Sequence, residues 1–272
     1  MSANYLIIKK RVRLTTAFRD LTAGIEAWRL WSKLAQQDLV ARYQRSWLGP
    51  FWLVFSAAIF LIALSIVYST LFHMEIAEYV PFLAMGILCW GFISGVAVEG
   101  VSTFVEAETY IRQVSVSLFI YVFRVLYRNI LIFLHQFIVA LFVLALFGKL
   151  RLTTVPLAVL GLFLLFLQAG WIISLLAIVG ARFRDLPQIV TNVLQILFFI
   201  TPIFWEPSLL GAKRWIADYN PLNSVISIIR EPFLGHVPIL DHYWLVLGTN
   251  AFGWLLIVVV YSRFSKRIVY WL

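Results

Sequence analysis

Charge is what this sequence has least of. Asp, Glu, Lys and Arg make up 13% of its 272 residues, while 62% are hydrophobic. A soluble domain carries about 25% charge, and no water-soluble globule of this size hides so much apolar surface. Cysteine is nearly absent too. Cys89 is the sole one, so no intrachain disulfide framework exists and a packing role is expected for it. Phosphate-loop spacing is missing: Gly148-Lys149 is followed by Leu150 and lacks the upstream glycine. H-E-x-x-H, C-x-x-C and G-x-S-x-G patterns are missing as well. His73, His135, His236 and His242 are scattered, which predicts no metal site. Of these, His135 lies inside an apolar run beside Gln136, where a functional role and a helix–helix hydrogen bond are equal readings. No short apolar core with a cleavage site opens the chain, so no secretory leader is expected.

What is abundant is long apolar runs. Runs free of Asp, Glu, Lys and Arg cover Phe51–Phe72, 80–98, 130–147 (starting as early as Phe119), 152–181, 186–205 and 243–262. A helix needs about 20 apolar residues to cross the hydrocarbon core, and lipid leaves helix as the way to satisfy the backbone of such runs. The expected fold is therefore an all-α integral membrane protein of six transmembrane helices. Residues 1–48 form a basic tail with an interface helix, and 49–272 form the six-helix domain. Nine of the 22 Lys and Arg residues precede Trp47. Others fall in the 2–3 loop, the 4–5 loop and the tail, on the same side. Basic residues collect on the cytoplasmic side, so both termini are expected there. The excess of +9 reads as topology and contact with membrane lipids, not as nucleic-acid binding.

Three connecting regions have a pattern of their own. Residues 26–43 form an amphipathic helix, with Trp28, Leu30, Trp31, Leu34, Ala35 and Leu39 on one face. Asp38 and Arg42 interrupt that face at a spacing that favours a pair. An interface helix and a simple topology anchor are equal readings. Residues 99–128 carry six charges and should largely leave the hydrocarbon, with a short cytoplasmic helix. Residues 206–242 hold four prolines around the apolar stretch 222–229, which predicts re-entrant half-helices on the outer side.

Carboxylates are missing from the charge-free cores of the runs, with Glu99 at the end of the second. Uphill transport would therefore draw its energy from another chain. Aromatics reach 17%. Phe51, Trp52, Phe55 and Tyr68 sit in the first run; Phe198, Phe199, Phe204 and Trp205 sit in the fifth. A wall of rings on which sugars slide is one reading, and lipid-facing or packing rings are the other.

Four motifs carry a resemblance. They are Arg42-Tyr43-Gln44-Arg45-Ser46-Trp47-Leu48-Gly49-Pro50-Phe51-Trp52, Arg184-Asp185-Leu186 with Ile189, Thr201-Pro202-Ile203-Phe204-Trp205, and Asn220-Pro221-Leu222 followed by Arg230. Their order and spacing resemble the permease subunits of ATP-binding-cassette polysaccharide exporters, in the O-antigen, teichoic-acid and capsule family. The O-antigen branch is the most similar. The resemblance implies a homodimer in the bacterial inner membrane, held to two separate ATPase subunits that bind ATP and Mg, and a polyprenyl-pyrophosphate-linked glycan as substrate. The chain itself would hold no cofactor and catalyse nothing. The resemblance implies roles for three groups. Arg42, Arg45, Leu48 and Gly49 would form the lipid-pyrophosphate entrance. The eight aromatics named above would line the path. Glu106, Glu108, Arg112, Arg182, Arg184 and Asp185 would couple to the ATPase. The alternatives are a small-molecule or lipid exporter of the same class, and a membrane enzyme acting on polyprenyl-linked sugars.

Overall fold

The computed structural model describes residues 17–43, 51–72, 74–151 and 153–272; the side chain of Tyr43 is not described. Arg45, Leu48 and Gly49, three of the four entrance residues, lie outside the described residues, as does His73. Among the described residues every regular element is helical. In chain order they are α1 (17–26), α2 (Trp28–Tyr43), α3 (Phe51–Phe72), α4 (Ile76–Glu106), α5 (Glu108–Gln113), α6 (Phe119–Leu146), α7 (Val155–Arg182) and α8 (Leu186–Ile200). A 3-10 turn (Pro207–Lys213) follows, then α9 (Trp215–Asp218), α10 (Pro221–Phe233) and α11 (Leu240–Trp271).

Five helices are long and apolar enough to cross a membrane: α3, α4 with its continuation into α5, α6, α7 and α11. The fifth apolar run gives a shorter helix than its length suggests. α8 has 15 residues, about 22 Å at 1.5 Å per residue, against about 30 Å of hydrocarbon. The cause is Pro202. It disfavours the helical region for the residue before it, and Thr201 turns extended at φ −84, ψ 136.

In lipid, neighbouring helices gain little from hydrophobicity and associate by close packing, which favours small residues at crossings. α4 and α7 form the central pair. A Cβ on Gly180 would lie 2.0 Å from the Val101 carbonyl oxygen, and one on Gly100 would lie 3.2 Å from the Ile173 Cα. α11 joins α7 by a reciprocal arrangement. Trp171 fills the space over Gly253, Trp254 lies over Gly170, and the Trp254 indole donates to the Leu167 carbonyl at 3.2 Å. Gly180→Ala should therefore lower the melting temperature, since a backbone atom must move. Overpacking costs about 1–3 kcal/mol, more than the ~1 kcal/mol that alanine gains over glycine in a helix. Gly248→Ala on α11, where a Cβ meets nothing within 4 Å, should raise it. Thermal unfolding of both variants checks the sign.

The amphipathic stretch is helical, with a turn at Ala27 dividing α1 from α2, but its expected apolar face splits. Ala35 and Leu39 are buried, Trp31 packs on Phe123 and Tyr127 of α6, and Trp28, Leu30 and Val40 face outward. α1 is anchored at the same end of the bundle. The Ser117 hydroxyl donates to the Asp20 carbonyl at 2.7 Å, and the Tyr261 hydroxyl donates to the Asp20 carboxylate at 2.8 Å.

Candidate functional site

Two helices are left uncovered by the other described residues. α8 has no buried residue, and α3 buries Leu61, Ser65 and Ser69 alone. Between them, backed by α4 and α6, lies a cavity of about 910 Å³. Its wall is mostly apolar, with a few polar side chains spread over four helices: Ser56 of α3, Ser94 of α4, Gln136 of α6, and Thr191 and Gln195 of α8. Thr191 and Gln195 are four apart and so share one face of α8. Phe60, Trp90, Phe198 and Phe199 add rings. A large apolar cleft with a few placed polar groups is the usual form of a binding site.

The eight aromatics expected on the path divide into two sets. Phe51, Trp52 and Phe55 begin α3 and are well exposed, none of them on the cavity wall. Phe198 and Phe199 line the cavity. They belong to a ring cluster at its far end, where Phe204 meets Phe198 at 5.3 Å and Tyr68 at 5.1 Å, and Trp90 meets Phe198 at 5.7 Å. Phe204 itself is buried, and the Trp205 indole donates to the Phe199 carbonyl at 3.1 Å. These last two hold the end of α8 in place. Apart from Gln136, named in the sequence only as the neighbour of His135, the polar members of the wall were missed. The available signal was the i, i+4 pair Thr191 and Gln195 inside an apolar run.

Residues 99–128 hold the expected short helix, α5. α4 continues to Glu106 and α6 begins at Phe119, so Glu99, Arg124 and Arg128 stay within long helices. Mutual neutralisation makes this possible. Asp38 of α2 accepts from Arg124 at 2.7 and 2.5 Å and from Arg128 at 3.0 Å. Glu99 accepts from Arg42 at 2.8 Å, from Arg128 at 2.9 Å and from Asn129 at 2.7 Å. Arg42, the described member of the expected entrance, thus reaches across to α4. Burial works against the charged form of Asp38, but the hydrogen bonds and charges of Arg124 and Arg128 outweigh it and hold its carboxyl below the usual carboxylate range. Five charges fasten α2 to α4 and α6. His135 has a local partner: its Nδ1 donates to the Leu131 carbonyl at 2.7 Å.

The expected coupling residues fall at the α5 end of the bundle. Arg112 pairs with Glu108 at 3.0 Å, and Arg184 reaches Glu108 at 3.9 Å and donates to the Leu272 carbonyl at 3.1 Å. Arg182 stacks over Trp271 at 5.3 Å. Glu106 and Asp185 are exposed, and Asp185 precedes α8 without a side-chain cap. Tyr110, Val114, Val116 and Phe183 add exposed apolar surface around these charges.

At the opposite end two of the sequence motifs meet. The Asn220 side chain donates to the Thr201 hydroxyl at 3.1 Å and accepts from the Leu222 amide at 2.9 Å. Arg230 donates to the Pro202 carbonyl at 2.8 Å, and the Tyr79 hydroxyl donates to the Phe204 carbonyl at 2.7 Å. The motifs thus brace the break after α8. Residues 29–234, from α2 through α10, match the ABC-2 type transporter family model. This chain belongs to that family. Among relatives of this ABC-2 type chain is the O-antigen export system permease protein RfbA of Klebsiella pneumoniae, 26% identical over 86% of this chain and 90% of the relative. Another is the O-antigen export system permease protein RfbA of Myxococcus xanthus, 24% identical over 75% of this chain and 79% of the relative. The covered lengths, 75–86% of this chain, show that the likeness is not confined to one motif.

Proposed function

We propose that this chain is the membrane permease of an ATP-driven exporter that moves a polyprenyl-pyrophosphate-linked glycan of O-antigen type across the inner membrane. The observation that carries this reading is the large cavity between the uncovered helices α3 and α8. A second copy of the chain would cover those helices and close the cavities into one path. Six passages would be α3, α4, α6, α7, α8 with the braced segment after it, and α11. The 3-10 turn, α9 and α10 would dip into the outer leaflet, and both termini would be cytoplasmic. Two separate ATPase subunits would bind ATP and Mg. Their docking surface would be α5 and the α7–α8 turn, where charged side chains surround exposed apolar ones. The lipid pyrophosphate would approach beside α2, where arginine suits phosphate geometrically.

Loss of the chain should remove glycan from the cell surface and leave the lipid-linked form inside. Unchanged surface glycan with new drug sensitivity would instead favour a small-molecule exporter. Glycan processing by the purified chain alone would favour the enzyme reading. For coupling, replacing Arg184 and Asp185 together by alanine should leave the thermal unfolding curve near wild type, because both side chains are exposed, and should lower export. The ratio of ATP turnover to glycan exported in the reconstituted complex checks this; an unchanged ratio rejects the assignment.

A further inference from the structure

α10 presents an arrangement that the transport path does not use. Asn223, Ser227 and Arg230 stand at i, i+4 and i+7, which places them on one face. They are 2%, 3% and 3% exposed. The helix's other positions bury Val225, Ile226, Ile228 and Ile229. A helix with one apolar and one polar face normally turns the polar face to water. Here the polar face lines a second cavity, of about 330 Å³, closed in by the start of α4, the 3-10 turn, α9 and the start of α11.

The groups at hand indicate what it would hold. Arg230 lies 3.9 Å above the Phe82 ring and donates to the Pro202 carbonyl at 2.8 Å. Asn223 donates to the Ala217 carbonyl at 3.0 Å. Around them stand Glu78, Glu206, Asp218 and Glu231, with Arg214, His236 and His242. The carboxylates do not converge. Glu78 pairs with Lys149, Asp218 faces Arg214 at 3.4 Å, and Glu206 accepts from Ser208 at 3.1 Å. Among the described residues no cluster is arranged to hold a metal ion. Four carboxylates against two guanidiniums disfavour an anion. What remains is a ligand rich in hydroxyls, each able to donate to a carboxylate or imidazole and accept from Arg or Asn.

We propose that this cavity is a binding site for one uncharged sugar residue of the emerging glycan, at the end of the bundle opposite the ATPase surface. This rests on the exporter reading and adds to it a point of contact beyond the membrane path. The test uses the full permease with its ATPase in cells stripped of the outer membrane. Ser227→Cys is treated with a charged, membrane-impermeant methanethiosulfonate, with wild type as control because Cys89 is fully buried. Cells that make the glycan are compared with cells in which its synthesis is blocked at the first sugar. Labelling proceeds through empty pockets alone, so near-full occupancy should slow it about tenfold in the exporting cells. Equal rates overturn the site, and so does a thiol that never reacts. Should Ser227→Cys fail to assemble, Glu231→Cys on the rim is the second reporter, with the same outcomes. Removing the chain separates the two claims. If surface glycan survives its loss, the exporter reading fails; if glycan is lost and labelling is indifferent to it, the sugar site alone fails.

Discussion

Glu99→Ala should destabilise the protein more than any other single change of charge. Glu99 accepts from three donors, Arg42, Arg128 and Asn129, and its side chain is 16% exposed. Removing one partner of a buried pair costs about 3–5 kcal/mol, because the other charge stays buried unpaired. Arg128, 7% exposed, is packed away from water. Its second partner Asp38 is shared with Arg124, so the loss should fall near the lower end of that range. The damage should also be local. α2 would lose its tie to α4 and become open to proteolysis while α4, α6 and α7 stay packed. Limited proteolysis beside thermal unfolding checks both parts. Arg42→Met should do much less, since Arg42 is exposed and Glu99 keeps two donors. A variant combining the two should lose less than the sum of the single losses, because the Arg42–Glu99 pair is removed in each. Full additivity would show that Arg42 acts independently of Glu99.

Much of this fold was legible in the sequence because lipid restricts a long apolar run to helix. Five runs gave helices of spanning length, and α4, α6 and α11 are longer than the charge-free stretches that announced them. In α4 and α6 the extensions share a cause. Counting charges as exits assumes that a charge must reach water, and Glu99, Arg124 and Arg128 instead meet one another and Asp38. Such a pairing joins positions 38, 99 and 128, far apart in sequence, so no local pattern could reveal it. The shortening of α8 was visible in Pro202 but was outweighed by the run's apolar length. For the site, aromatic content pointed to the right helices and only partly to the right residues. Phe198 and Phe199 face the cavity because α8 keeps Thr191, Leu194 and Gln195 on that side. Phe51 and Phe55, although they share a face of α3, share an exposed one. Which face of a helix meets a cavity depends on its neighbours, and periodicity alone does not supply them.

That division decides where export should be most sensitive. Gly91 lies midway along α4 on the cavity wall, and a Cβ there would meet only the Gln136 Oε1, at 3.5 Å. A large side chain can therefore be added without pushing on backbone, and any residue but proline is a better helix former than glycine. Gly91→Trp should fold, bind the ATPase and fill the space between α3, α4 and α8. A rise of only ~1.4 kcal/mol in the barrier to glycan passage slows export about tenfold, and an indole across the path should exceed that. Gly91→Ala, which adds one methyl, should export normally and melt higher by virtue of its helix propensity. Paired Phe51→Ala and Phe55→Ala thins rings that lie off the cavity and should reduce export less than Gly91→Trp. Surface glycan measured beside the melting temperature and ATPase pull-down separates the cases. Normal export from a folded, ATPase-bound Gly91→Trp permease would mean that the glycan does not use this cavity. A stronger defect from the paired phenylalanines would move the path to the exposed start of α3, where a second copy of the chain would supply the facing wall.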